Sequence, residues 1–506
     1  MHAPCTTTLR EQGFPMFKRE ASKRAERLIE LLRKESNLNW IARRTFAVYA
    51  VGSGWTGAFG NGRFDQEISG HNDEEEAGSP LKIYDGSVKD ISLGWGHTAI
   101  LTEDRRLLLA GRPHDFSVLL RLRRLPLWVR NYAINSSINE FRGLDSRSVH
   151  PIALIGRLIT WLAIRFKYPT TELEAARRHS IFPELAEIAL PDSEVPSSVS
   201  CSAALTAIVT ESGKVYAFGL NGFGQCGIGM TSNHVWNPSS PLRGLTSEFA
   251  NQPRGEMEQS YPVVDVALGL QHGICLNEVG EVFCWGKGER GQLGQGLITT
   301  EAHTALPVKR AFTLGEKMKP QYQTIGQVTQ IDAGMIHCAA LTKDNEVLIW
   351  GKHVLPLLPG DENKKVSSDA RLPYILPGLP KGVRVERIAC GSHHTAILLD
   401  DGSVYAAGIA THTKEPIHEA VQILPPGVVN RPVRQFDAHM DRTTIVGADG
   451  RQVLQLHLWK DEELREFAAF TPAWVDHILD ENPFAKISMI HRSWIHSVVV
   501  TEEQIE

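Results

Sequence analysis

Five histidines recur at one position of a repeated string. Imidazole is the side chain most used to move protons near neutral pH and a frequent metal ligand, so their spacing comes first. His97, His272, His337 and His394 each follow a glycine by three residues (Gly94, Gly269, Gly334, Gly391). Each of those glycines precedes a second one by 17 (Gly111, Gly286, Gly351, Gly408). His496 stands in a fifth copy at residues 493–501. Agreement in one register makes these histidines a feature of a repeat. Equivalent atoms on successive units lie too far apart to share an ion, and no carboxylate or cysteine recurs beside them. The expectation is a hydrogen-bonding histidine near a strand start, with no metal.

Three strings match G-x-G-x-x-G, at residues 52–57, 222–227 and 286–291. A dinucleotide fold needs one such loop, after a strand and opening a helix. Here the following residues, GQLGQG and GAFGNG, cannot start a helix, so no nucleotide or other cofactor is expected. No G-x-S-x-G, H-E-x-x-H or P-loop string occurs, and no spacing pairs a nucleophile with a base. The expectation is a non-catalytic protein with no small-molecule substrate. The 7 cysteines include no CxxC pair, which points to buried reduced thiols in a reducing compartment. No run of about 18 apolar residues free of charge reads as a membrane span. A net charge of −5 argues against a general nucleic-acid binder.

The elements that carry these residues are short strands. The string VALGLQHGICLNEVGEVFCWG, residues 266–286, reads as a hairpin with its turn at Glu278, Val279 and Gly280. Two copies are degenerate. Residues 199–219 have Ser202 and Leu205 at the first-glycine and histidine positions, and residues 436–456 have His439, Arg442 and Leu456 at the three marked ones. FAVYAVG at 46–52 is a second half with no first half before it, and residues 493–501 copy 94–102. The two ends together therefore complete one unit. Seven first halves and seven second halves predict seven blades. Three units add G-x4-G-x2-G (Gly52/Gly57/Gly60, Gly219/Gly224/Gly227, Gly286/Gly291/Gly294), a pattern suited to positive φ and close packing.

The unit G-x-x-H-T/S-x-x-L/V, a turn, VYAFG or VFCWG, then GQCG or GQLG, resembles the repeat of the regulator of chromosome condensation (RCC1) family over residues 46–111 and 199–506. The resemblance implies an all-β, seven-bladed propeller closed by sharing one blade between the chain ends. The leading expectation for function is a non-catalytic scaffold that holds another macromolecule, within a mitochondrial assembly or a ribonucleoprotein. The alternative, which the resemblance implies, is guanine-nucleotide exchange on a small GTPase, gripped by one propeller face and a protruding wedge; no counterpart of the wedge is recognisable here.

Three segments stand outside the repeat. Residues 1–45 carry ten Lys/Arg against five Glu, with apolar residues at helical spacing over 20–35. They read as a basic helical extension, with a mitochondrial presequence as one use and cytosol or nucleus as the alternative locations. Residues 112–198 read as a helical insertion, with helix starts at Thr171 and at Pro183-Glu184. Within it, residues 119–167 hold nine Lys/Arg against two acids. Arg121, Arg123, Arg124, Trp128, Arg130, Arg157, Trp161 and Arg165 are the expected partner contacts, to a protein, RNA phosphates or an anionic membrane face. Residues 230–260 are polar, rich in Pro and Ser, and read as a long surface loop.

Overall fold

The computed structural model describes residues 44–54, 56–62, 67–68, 79–114, 182–246, 260–296, 299–312, 321–352, 369–409, 416–458 and 469–504. Residues 46–503 form one compact unit. It contains seven antiparallel sheets and one short separate ribbon, Lys309–Phe312 with Gln321–Thr324. The sheets are the blades of a seven-bladed β-propeller.

The first blade runs Val88–Leu93, His97–Thr102, Leu107–Gly111, Phe182–Glu187. The second runs Pro196–Cys201, Leu205–Thr210, Val215–Leu220, His234–Val235. The third runs Val263–Leu268, His272–Asn277, Val282–Lys287, Glu301–Pro307. The fourth runs Val328–Ala333, His337–Thr342, Val347–Gly351, Ala370–Ile375. The fifth runs Val385–Cys390, His394–Leu399, Val404–Ile409, Pro416–Leu424. The sixth runs Gln435–His439, Arg442–Val446, Val453–His457, Ala469–Phe470. The closing blade takes Lys486–Arg492 and His496–Gln504 from one end of the chain and Arg44–Ser53 from the other, and Leu81–Asp85 and Glu67–Ile68 cover its outer edge.

Each first strand touches the first strand of the next blade, and Lys486–Arg492 against Val88–Leu93 completes the circle. These seven strands line a central channel. The second strands of the first six blades are buried along their whole length, in HTAILT as in HCAALT. They read as continuous apolar runs because both faces pack against neighbouring blades. The 17-residue unit therefore holds more than the expected hairpin. In residues 266–286 the tail of one strand, a whole second strand and a third strand follow each other, and the marked glycine sits in the bend between the first two. The turn read at 278–280 joins the second and third strands, closed by the Gly280 amide donating to Asn277 O (3.0 Å).

The insertion has different bounds from those expected. Phe182–Glu187 is the fourth strand of the first blade, in register with the third through Leu108↔Glu187 and Leu109↔Ala186. Pro183 and Glu184 thus lie in a strand and start no helix. A proline is tolerated there because this strand is the outer edge of its blade. Pro196–Cys201 already belongs to the second blade. The foreign segment is spliced between third and fourth strands, and residues 115–181 lie outside the described residues, as does the 1–43 extension. The 230–260 loop is also shorter than expected, since His234–Val235 pairs with Gly219 and Leu220 as a fourth strand. Among the described residues the one α-helix is Ala473–Glu481, which follows Pro472. Its buried Trp474, Val475, Ile478 and Leu479 recur at helical spacing. They pack with Val446, Val453, Ile487 and Val499 between the sixth and closing blades.

Closure is held by apolar packing of Val48 and Ala50 with Val498 and Val500. The two strands are hydrogen-bonded neighbours, and two side-chain bonds among the described residues also cross the join: Thr501 Oγ1 donates to Ala47 O (3.3 Å) and Tyr49 Oη to Glu503 Oε1 (2.9 Å). Deleting residues 486–504 would bare one edge of Arg44–Ser53 and break the circle of inner strands. The truncated chain is expected to lose its cooperative melting transition and to be cut throughout by limited proteolysis. An unchanged melting temperature with unchanged protease resistance would contradict closure.

Candidate functional site

The repeat histidines do not converge. Each crosses from its own blade to the next. The Nε2 atoms of His97, His337 and His394 lie 3.0–3.1 Å from Thr206, Thr395 and Thr443 Oγ1, and His272 Nε2 lies 3.2 Å from Cys338 Sγ. His496 Nε2 lies 3.0 Å from Thr98 Oγ1 across the closing join. Every partner occupies the position just after the histidine position of its own blade. One partner is a cysteine, Cys338 beside His272, and the other four are threonines.

The two exceptions have local explanations. Leu205 has no polar ring atom to offer, and the third blade supplies Gly273 at the partner position. A Cβ there would lie 2.3 Å from the Trp285 ring, so the indole fills the space. In the sixth blade Arg442 replaces histidine and its Nη1 donates to Gln455 Oε1 in its own blade (3.0 Å).

The marked glycines follow from the same geometry. A Cβ on Gly94, Gly269, Gly334 or Gly391 would lie 2.0–2.2 Å from Cε1 of the histidine three residues on. Ser493 occupies that place before His496 and uses its hydroxyl, 2.9 Å from Nδ1. The second glycines, Gly111, Gly286, Gly351 and Gly408, have φ between +93° and +134° and press on the backbone around the histidine. In the G-x4-G-x2-G loops all nine glycines take positive φ. These loops pack on the next blade: Trp285 Nε1 donates to Gln225 O (2.8 Å), and Trp350 Nε1 to Gln292 O (3.0 Å).

Burial keeps the belt neutral. It pulls His97 and His337 down to about 3 and His272 and His394 down to about 4, with the neighbouring histidines adding to the effect at His337. It also pushes the Cys201 thiol up to about 12. The six described cysteines are free.

Inside the belt, side chains of the inner strands reach backbone amides of the next blade. Asp90 Oδ2 accepts from Val199 N (3.2 Å), Ser92 Oγ from Cys201 N (2.8 Å) and Asp332 Oδ2 from Cys390 N (2.6 Å). Gln435 brackets Ile490 through both its amide nitrogen and oxygen. Burial raises Asp90 and Asp265 to about 6 and Asp332 to about 7. At one end of the channel the bends between first and second strands surround a cavity of about 120 Å³, whose wall includes Trp95, Met335, Ser392, Met440 and Arg492. Trp95 and Trp494 meet edge to face there, centroids 4.5 Å apart, and Trp494 is 46% exposed. The connections from third to fourth strands open on this same face, because successive strands are antiparallel. The 115–181 splice is one of them.

Models of the regulator of chromosome condensation (RCC1) repeat match residues 197–225, 263–292 and 385–412, and in a longer form 212–276 and 279–341. Residues 197–341 and 385–412 thus carry RCC1 repeats. The guanine nucleotide exchange factor SRM1 of Saccharomyces cerevisiae is 33% identical over 148 residues, 29% of this chain and 28% of SRM1. The RCC1-like G exchanging factor-like protein of Mus musculus is 28% identical over 232 residues, 45% of this chain and 44% of that protein. The chain thus aligns with less than half the length of these curated relatives. The crystal structure of Prp20p from Saccharomyces cerevisiae, described with its binding to Gsp1p and histones, covers 92% of this chain and is itself covered over 93%. Its TM-score is 0.52 at 15% identity, a likeness of fold.

Within the RCC1 frame, the repeat residues read from sequence fall at the joins between blades. The expected partner contacts Arg121, Arg123, Arg124, Trp128, Arg130, Arg157, Trp161 and Arg165 lie outside the described residues. Sequence reasoning missed the Trp95–Trp494 pair. The two residues sit 399 positions apart, and only the alignment of 94–102 with 493–501 could have paired them.

The neutral belt has a pH signature. His97 is depressed from 6.5 to about 3, so between those values the unfolded chain binds a proton that the folded chain refuses. Its contribution to stability is complete above about pH 6.5 and is lost as the pH falls towards 3. At pH 5 that loss is about 2 kcal/mol for one such site. His97→Gln keeps a polar partner for Thr206 and removes the titration. In urea unfolding the variant is expected to be about 1–2 kcal/mol less stable than wild type at pH 7.5, with most of that deficit gone at pH 5. An equal deficit at both pH values would contradict a buried neutral histidine.

Proposed function

We propose that this chain is a non-catalytic protein-binding scaffold whose partner seats on the face around the channel mouth. The observation that carries this is the Trp95–Trp494 pair, 46% exposed at Trp494 and set beside Met440 and Arg492. Tryptophan and arginine in a partly enclosed setting are the residues that most often dominate binding energy. Their backbones are fixed by the ring, so a partner would meet a preorganised surface. The splice at 115–181 enters on this face, and its arginines and tryptophans are the second half of the proposed contact. Protein is favoured over RNA or a membrane because the proteins it resembles are exchange factors and a propeller described with protein partners.

A second reading makes that partner a small GTPase and the activity guanine-nucleotide exchange. The resemblance to SRM1 and to the mouse G exchanging factor-like protein favours it. Exchange needs no covalent chemistry from the propeller, only a grip that differs between nucleotide-bound and nucleotide-free states.

The test pairs identification with mapping. A partner is identified by affinity purification and its binding to purified full chain is then measured. Trp494→Ala is expected to weaken it at least tenfold, since a central tryptophan carries about 2 kcal/mol or more, while leaving the melting temperature unchanged. Replacing residues 115–181 by a short Gly/Ser linker, and so sparing the fourth strand at 182–187, is expected to do the same. Unchanged affinity in both would remove the assignment of this face. Accelerated GDP release from one member of a GTPase panel would promote the second reading.

A further inference from the structure

We propose that Asp437, His439 and His491 form an open divalent-metal site of the zinc class in the channel wall. Asp437 and His439 lie two apart on the first strand of the sixth blade, so their side chains leave the same face. His491 comes from the first strand of the closing blade, at the position that corresponds to Asp437, so on the inner strands equivalent positions of adjacent blades do come within reach of one ion, against the expectation from the repeat. Asp437 Oδ2 is 2.9 Å from His439 Nε2 and 3.6 Å from His491 Nδ1. All three donor atoms lie within 4.8 Å of one another.

The donor set suits the assignment. Two imidazole nitrogens and one carboxylate oxygen are ligands of zinc and of other first-row divalent ions, leaving positions open to water. Metal–ligand bonds of about 2.0–2.2 Å place tetrahedral donors roughly 3.4 Å apart, and the two contacts of Asp437 bracket that separation. The carboxylate is already oriented, because Oδ1 accepts from Ala438 N at 2.8 Å. None of the three side chains is fully exposed: they keep 27%, 20% and 13% of their side-chain area, enough for an ion to reach them from the channel.

The repeat gives the two histidines no structural reason. His439 stands where Gly94, Gly269, Gly334 and Gly391 are required by the histidine three residues on. In this blade that histidine is Arg442, so the constraint is lifted. His491 stands where the first, fourth and fifth blades have Ser92, Asp332 and Ala389. Two departures from the repeat, in adjacent blades, face each other across a carboxylate. Asp332 shares this wall, and Arg492 is a cation that acts against metal binding there.

Untagged full chain, stripped with a chelator, is titrated with Zn²⁺ by calorimetry and with Co²⁺ by visible absorption. One equivalent of Zn²⁺ is expected, with Co²⁺ bands showing imidazole ligation. Asp437→Asn and His491→Gln are each expected to weaken Zn²⁺ at least tenfold. His439→Gly restores the residue that four other blades carry. It is expected to fold with an unchanged melting temperature and to lose the site. Absence of stoichiometric binding overturns the proposal, and so does binding that survives His439→Gly and His491→Gln unchanged.

Discussion

A hydrogen bond that leaves one blade and ends on the next is the contact on which this ring depends. Within a blade the strands satisfy each other's amides, but nothing in a ladder ties one sheet to its neighbour. Apolar packing between blades is strong yet tolerant of sliding. The buried histidine at the start of a second strand removes that tolerance. Its Nε2 must meet Thr206, Cys338, Thr395, Thr443 or Thr98 on the next blade, and a buried nitrogen left unpaired costs about 1–3 kcal/mol. Other features follow. The glycine three residues earlier clears room for the ring, the second glycine lets the third strand approach, and burial keeps the imidazole uncharged.

The sequence showed much of this through spacing, because repeated geometry leaves repeated residues. Seven blades and the shared closing blade could be read from Gly94, His97, Gly111 and their copies. What failed to show has physical causes. Phe182–Glu187 carries Pro183 and a short alternation, and an outer strand with one covered face has few demands to write into its residues. The helix Ala473–Glu481 fills a gap between two blades once only, so no second copy announced it. His439 looked like decay of the motif, because its neighbours Asp437 and His491 are gathered by the fold, the latter from 52 residues on.

The features proposed as functional lie where the repeat is relaxed. Trp95 and Trp494 occupy bends whose backbone is fixed by the belt, and their rings meet edge to face. The splice at 115–181 interrupts the chain where a third strand hands over to a fourth, a place that the ring tolerates because both strands keep their register. Asp437, His439 and His491 sit in the blade that has given up its histidine. A rigid ring with a few released positions is a common way for one fold to carry many functions.

The central claim is that the two ends of the chain build one blade as well bonded as the others. Amide hydrogen exchange measured by mass spectrometry tests it on the intact protein. Peptides spanning residues 46–52 and 496–503 are expected to exchange as slowly as those spanning 272–277 and 337–342, and to be lost together with them in one cooperative event as urea rises. Exchange of 46–52 within seconds, while the other blades stay protected, would mean an open ring and would contradict the account.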